Sequence, residues 1–382
     1  MSDTRKSRAL IATLYTIGAT PFNVVPLTIG ALIGIFAVNE DAAGGLLTAQ
    51  LFTMAVVAYL LAPLGLRALN RKLVISACIL SVVSALWAAE IDSFGALYQA
   101  LIPAGVAAGL LILVVNVAVA QAPDPVRVYG IAVFVVALVA IGFLLGMPVA
   151  IERFALRGAF WPLAALALLT SPIWLRINIE DIRTSSAVVD DGPGSKVKYS
   201  IVVVALYVVG NFIVQVSQSS YFAFVERKAA GLQIDAATIG LILGGAYTTN
   251  LLATALASWI GERFGYIKPL VVSVGIHSIA AWTALTADNV VIYTAAVVVQ
   301  SFSYFLSIPF QLGIGATLDP SGKLATVGAA TFFLGLAMGP LLGGLVIANS
   351  GFVPLGNLVV AGTAAGLVLY AFALRRHFGG EW

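Results

Sequence analysis

Charged side chains punctuate this chain at long intervals, and between them run stretches without a single Asp, Glu, Lys or Arg. These stretches cover residues 9–39, 42–66, 73–89, 93–123, 128–151 and 158–175, then 199–225, 236–261, 269–287, 289–318 and 324–374. A helix needs about 20 apolar residues to cross the hydrocarbon core of a bilayer, with a usual range of about 17–25. The last stretch is long enough to cross twice. Asn349-Ser350-Gly351, with Pro354 just beyond, marks a turn inside it. Twelve spanning helices are therefore predicted, numbered here as spans 1–12. Barrel strands would be about 9–11 residues long with alternating polarity, so the expected fold class is an all-α membrane protein.

The longest polar interval falls at the middle of the chain. Residues 177–198 carry Glu180, Asp181, Asp190 and Asp191 around a Gly192-Pro193-Gly194 break, the composition of a flexible linker. It divides the chain into a six-helix bundle over residues 1–176 and a second over residues 199–382. If the N-terminus is cytoplasmic, only Arg153, Arg157, Arg227 and Lys228 fall outside. The other sixteen of the 20 basic residues lie inside, as the positive-inside rule requires. Both termini and the linker are then cytoplasmic.

Composition removes the soluble alternatives. Charged residues make up 10% of the chain, against about 25% in soluble domains. So few charges cannot clothe a water-soluble surface, and the excess apolar area must face lipid. A net charge of +3 spread over loops is no nucleic-acid signal. A lone cysteine, Cys78, excludes a disulfide framework and a cysteine metal site. Short loops leave no room for a catalytic domain. No H-E-x-x-H, P-loop, nucleophile elbow or paired intramembrane aspartate occurs, so neither an enzyme nor a cofactor or metal is expected. Gly313-Ile314-Gly315 lacks the third glycine of a dinucleotide loop and reads as helix packing.

Two local motifs add a family resemblance. Between spans 8 and 9 stands Gly261-Glu262-Arg263-Phe264-Gly265, and span 11 contains Gly335-Leu336-Ala337-Met338-Gly339-Pro340-Leu341-Leu342-Gly343-Gly344. The first resembles the acidic-Arg-x-Gly loop of the major facilitator superfamily, and the second matches that family's G-x-x-x-G-P-x-x-G-G pattern in full. The loop between spans 2 and 3 keeps only the basic end of its motif, at Arg71 and Lys72. Span 5 echoes the glycine pattern weakly, with Gly142, Gly146 and Pro148. The resemblance covers the whole chain without selecting a subfamily. It implies two six-helix bundles related by a pseudo-two-fold axis and a secondary transporter in a bacterial-type inner membrane. It assigns gating roles to Glu262 and Arg263, as a cytoplasmic latch, and to Gly339 and Pro340. For each there is a plainer reading: tight helix packing for the glycines and a solvated loop pair for the charges. Leu101 stands where proton-coupled members often carry an arginine in span 4, which puts the familiar proton coupling in doubt.

All 17 acids lie in loops or near span ends, and the polar residues left inside the spans are uncharged and striped. Span 1 presents Thr16, Thr20 and Asn23, span 7 Asn211, Gln215 and Gln218, and span 10 Gln300, Ser303, Tyr304, Ser307 and Gln311. Each set shares one helical face. A polar stripe in lipid must point at protein or water. By the resemblance, spans 1, 4, 7 and 10 line a central cavity, to which span 4 adds Asn116. The expected solute-binding residues are therefore Asn23, Asn116, Asn211, Gln215, Gln218, Gln300, Ser303 and Tyr304. Interhelical hydrogen-bond glue is the alternative, and it explains single amides better than three stripes. His277, midway along span 9, is the one imidazole within the membrane. Because the resemblance makes span 9 a peripheral support, it reads as a hydrogen-bonded structural histidine.

A cavity without fixed charge suits a small neutral or amphipathic organic solute. The expected function is secondary active or facilitative transport by alternating access, with a transport-inactive receptor or scaffold of the same fold as the alternative. Expected partners are the solute, the lipid bilayer and, if transport is coupled, an ion. The chain is expected to act as a monomer without nucleic acid.

Overall fold

A computed structural model describes residues 5–120, 125–176, 201–260, 267–318 and 323–378. Every regular element among them is helical. In chain order these are α1 (Arg5–Asn23), α2 (Val25–Phe36), α3 (Glu40–Leu60), α4 (Arg71–Ala89), α5 (Leu97–Ala120), α6 (Pro125–Phe154), α7 (Leu156–Leu169) and α8 (Ser171–Trp174). After residues 177–200 come α9 (Ile201–Gly231), α10 (Ala236–Ile260), α11 (Ile267–Thr286), α12 (Val290–Leu318), α13 (Lys323–Ser350) and α14 (Phe352–Phe378). Short 3₁₀ turns at Ala62–Ala68 and Phe94–Ala96 complete the list. The linker predicted over residues 177–198 lies outside the described residues.

Ten of these helices are long and apolar enough to cross a membrane. α1 and α2 together make an eleventh, bent by 47°. The bend has identifiable causes. Pro21 lies inside α1 and Pro26 opens α2, and each proline removes a backbone donor from the ladder. In addition, Thr16 and Thr20 donate to the carbonyls of Ala12 and Thr16 at 2.7 and 2.6 Å, back-bonds that favour bending. The sixth predicted span is the 14-residue α7 followed by the single turn α8, whose Trp174 donates from Nε1 to the Ala167 carbonyl of α7 at 2.8 Å. At the predicted turn in the last stretch, Gly351 adopts φ +83°, the left-handed backbone that closes a helix and favours glycine.

The chain divides into two compact units. One comprises Met1–Val38 with Leu46–Asp190, the other Asn39–Gly45 with Asp191–Trp382. In the first, α1 packs on α5 and α6, while α4 packs on α5 and α7. Gly105 and Gly109, one turn apart on α5, rest against the backbone of α3, and a Cβ at Gly109 would stand 2.6 Å from the Met54 carbonyl. Small residues at this spacing let backbones approach this closely. In the second unit, α9 packs on α13 and α14, and α11 on α12 and α14. Adding six to the span numbers of the first pattern gives span 7 on 10, span 7 on 11, span 9 on 10 and span 9 on 12. Three of these four pairings recur, as in parallel repeats, while span 7 packs more closely on span 12 than on span 10.

Each unit has its own apolar core. Leu10, Leu14, Val74, Leu111 and Trp174 belong to the first, and Val203, Tyr207, Val274, Phe310 and Tyr370 to the second. Large apolar side chains such as Leu169, Leu252 and Val291 stand well exposed. Area of that kind is disfavoured in water and stable in lipid.

Candidate functional site

In the second unit, the predicted face of α9 meets that of α12. Residues at i, i+4 and i+7 share one side of a helix, so Gln215 and Gln218 project from α9 toward Gln300, Tyr304, Ser307 and Gln311 on α12. All six are buried. Tyr304 Oη donates to Gln215 Oε1 at 3.1 Å, and Gln215 Nε2 donates to Gln311 Oε1 at 2.6 Å. Gln311 Nε2 in turn donates to Ser307 Oγ at 2.8 Å, and Ser307 Oγ to the Tyr304 carbonyl at 2.7 Å. One turn away, Gln300 Nε2 donates to Gln218 Oε1 at 2.9 Å and lies 3.0 Å from His277 Nδ1 on α11. The His277 and Tyr304 rings are tilted at 38° with centroids 5.5 Å apart. Ser303, also buried, lies on α12 between these two sets.

Asn211 takes a different direction. Its Nδ2 donates to the Gly328 carbonyl at 2.7 Å, and its Oδ1 accepts from Tyr370 Oη at 3.0 Å. It thus ties α9 to α13 and α14, apart from the Gln215 cluster. Asn23 and Asn116 belong to the first unit. Asn23 Nδ2 donates to its own helix at the Ala19 carbonyl, 3.2 Å away, beside the α1–α2 bend. Asn116 is exposed. The two threonines of the span-1 stripe are buried and bond their own helix. A crevice within this unit is lined by Ile17, Pro21, Gln50, Ser81, Leu101 and Phe160 among others, so Leu101 presents an apolar wall at its place on α5.

The glycine motif seats α13 against α9. A Cβ at Gly335 would stand 2.7 Å from that of Gln215, and one at Gly343 2.8 Å from the Ser220 carbonyl. At Gly339 the neighbour is Ser219. The serines then hydrogen-bond across the seam: Ser219 Oγ to the Leu336 carbonyl at 2.5 Å, and Ser220 Oγ to the Gly339 carbonyl at 3.0 Å. Pro340 lies inside α13, and its carbonyl packs against Gly44 in the Asn39–Gly45 segment of the same unit. In that segment Glu40 also accepts from Arg227 Nε at 3.3 Å. Glu262 and Arg263 lie outside the described residues.

Sequence reasoning set His277 aside as a support and did not single out Asn250 or Tyr370. Asn250 on α10 accepts from Ser301 Oγ at 2.9 Å while its own Nδ2 is buried without a partner. The signal for all three was the same: a lone polar group in an apolar span. Among the described residues no cluster of His, Cys, Asp or Glu could hold a metal ion. What the α9–α11–α12 cluster offers is hydrogen bonding from amides, hydroxyls, a phenol and an imidazole, without formal charge.

No protein-family model matches the sequence, and no curated protein matches it. Solved structures do match its fold. The nucleoside transporter NupG superposes with a TM-score of 0.74 at 11% identity, covering 96% of this chain and 98% of that one. The xylose transporter XylE from E. coli, in an inward-open conformation, gives 0.74 at 14% identity over 96% and 95%. A bacterial homologue of the human lysosomal transporter Spinster, inward-facing and occupied, gives 0.71 at 15% identity over 100% and 99%. Near-complete coverage in both directions assigns this chain the fold of these transporters.

Proposed function

We propose that this chain, which has the major facilitator fold, is a membrane transporter for a small neutral or amphipathic organic solute. It would work by alternating access, either facilitatively or coupled to an ion. The observation that carries the substrate chemistry is the buried, uncharged cluster of Gln215, Gln218, Gln300 and Tyr304 on α9 and α12. Amides and a phenol recognise hydroxyl, amide and carbonyl groups, whereas a strongly ionic ligand would be desolvated there without a counter-charge. Asn23 and Asn116 are proposed as the contribution of the first unit, and Asn211 and Ser303 as flanking polar positions. Gly339 and Pro340 would serve gating as the close α13–α9 seam, and Glu262 with Arg263 as a latch on the cytoplasmic side.

The test is uptake of radiolabelled neutral solutes, nucleosides and pentoses first, into proteoliposomes holding the purified protein. Replacing Gln215 or Gln300 by Leu should weaken binding of a transported solute by about 1–3 kcal/mol, because a polar partner loses its hydrogen bond. If no solute of the panel moves while the protein is folded, the receptor or scaffold reading prevails. If the leucine variants bind normally but melt markedly earlier, these amides are packing and the site lies elsewhere.

A further inference from the structure

The crevice in the first unit combines an apolar wall with polar groups that bind nothing else. Leu101, Ala108 and Phe160 are buried in that wall, and no charged side chain lines it. Gln50 enters from α3 and is only 6% exposed. Gly105 brings the α5 backbone directly against the Gln50 carbonyl, which holds the residue at the seam of the two helices. Its side-chain amide nevertheless makes no hydrogen bond among the described residues.

Two further polar groups of the lining are also unused. Thr13, Thr16, Thr20, Thr28 and Thr53 of the same unit each donate to the carbonyl four residues back in their own helix. Ser81 on α4 lines the crevice and makes no such bond. On α1, Pro21 has no N–H to offer the Ile17 carbonyl one turn back, and both residues belong to the lining. An amide, a hydroxyl and a backbone acceptor thus reach one apolar recess from three helices. Inside a membrane such groups have no bulk water to turn to, and leaving them unmet is costly. A leucine at position 50 would avoid that cost, because exchanging an unpaired polar group for an apolar one of similar shape is close to neutral. The amide is useful to this crevice only if something enters to meet it.

Size and polarity define what enters. The free volume is about 20 Å³, enough for one polar group of the size of water, which needs about 10–15 Å³. Pro21, Ala104, Leu163 and Leu166 on the rim are partly exposed, so the rest of a larger molecule can lie along them. That remainder must be apolar, as the rim is. A carboxylate or an ammonium group would lose its hydration here without gaining a counter-charge. A hydroxyl group has one hydrogen-bonding position fewer than water and carries carbon in its place, which suits three polar groups set in an apolar wall.

We propose that this crevice is a binding site for the hydroxyl end of an uncharged alcohol, separate from the Gln215 cluster of the second unit. The hydroxyl exchanges hydrogen bonds with Gln50 and Ser81, the Ile17 carbonyl offers a further acceptor, and the carbon body lies against Leu101 and Phe160. Binding here does not depend on the transport reading and is measured without transport.

Full-length protein in lipid nanodiscs would be photolabelled with azihexanol, an aliphatic alcohol carrying a diazirine, and the labelled residues mapped by mass spectrometry. The expected result is saturable labelling around Gln50, Ser81 and Phe160 that excess hexanol displaces and hexane does not. Gln50→Leu should cut this labelling about tenfold, the effect of losing one hydrogen bond to a buried group, and should melt no earlier than the wild type. Ala104→Leu, which narrows the rim and leaves the polar groups in place, should cut it as well. Labelling that never saturates, or that is unchanged in Gln50→Leu, overturns the proposal and leaves the crevice to water. Displacement by hexane as effective as by hexanol also overturns it, because the polar groups would then recognise nothing. If Gln50→Leu fails to fold, Ser81→Ala decides, since alanine is well tolerated in a helix. Unchanged labelling in that variant overturns the proposal in the same way.

Discussion

One close fit in the second unit sets a glycine directly against Gln215. Gly335 leaves no space for a Cβ, which would meet that of Gln215 at 2.7 Å and the Phe212 carbonyl at 2.8 Å. Backbone cannot yield as a flexible side-chain end does. Gly335→Ala should therefore destabilise the protein by about 1–3 kcal/mol through overpacking and displace Gln215 from Tyr304. Gly275 on α11 is the matching control, since a Cβ there meets nothing within 4 Å. Gly275→Ala should be neutral or stabilising by up to about 1 kcal/mol, because alanine costs less helix entropy. Thermal unfolding of both variants in one detergent checks the contrast. Equal melting of Gly335→Ala and wild type would mean that α13 and α9 are not in this close register.

Among the helices, α10 shows how a start is fixed by a short sequence. Asp235 Oδ1 accepts from the Thr238 amide at 3.0 Å and Oδ2 from the Thr238 hydroxyl at 2.6 Å, which together form an N-cap. The Thr238 hydroxyl, and then its amide, hold the carboxyl below the usual carboxylate range. A depressed acid contributes its stability above its unfolded value and loses it as pH falls through the folded one. The first turn of α10 should thus lose protection, relative to intrinsic exchange at the same pH, in strong acid, and Asp235→Ala should show the same reduced protection at neutral pH. Peptide-level hydrogen exchange over residues 236–245 is the measurement, and identical protection in variant and wild type would refute it. Helices of this kind were legible because charge intervals and turn residues act locally. The Asn349–Gly351 turn appears where expected, with Gly351 at positive φ. The breaks after Asn23 and Leu169 were not foreseen, because prolines and threonines are also tolerated inside unbroken spans. For the site, the stripe put Gln215 and Gln218 on one face of α9, and both bond residues of α12. It could not show that Asn211 turns to Gly328 and Tyr370, since a shared face does not specify a partner. Nor could periodicity show that the isolated His277 would meet Gln300. That contact depends on how α11 seats against α12.

For the molecule as a whole, the distribution of basic residues predicts which side of the membrane each loop occupies. Single cysteines at Ser195 and Ser350, on a Cys78→Ala background, should react with a membrane-impermeant thiol reagent from opposite sides. Reaction of both from outside would invert the topology. Removing contacts made in only one conformation shifts the populations of both, so Glu262→Gln should favour the inward-open form. Spectroscopic distances between labels on the cytoplasmic face would lengthen. Distances that stay unchanged, with normal transport, would reduce Glu262 to an ordinary loop charge.

A membrane voltage does work only on charge, about 2.3 kcal/mol for each elementary charge moved through 100 mV. The cluster of Gln215, Gln218, Gln300, Tyr304 and neutral His277 carries none, so its rearrangement in the empty protein is electrically silent. Any current or voltage sensitivity arising at this cluster must enter with its cargo. A neutral solute alone brings none, whereas a coupled ion would expose the turnover of the whole molecule to the membrane potential.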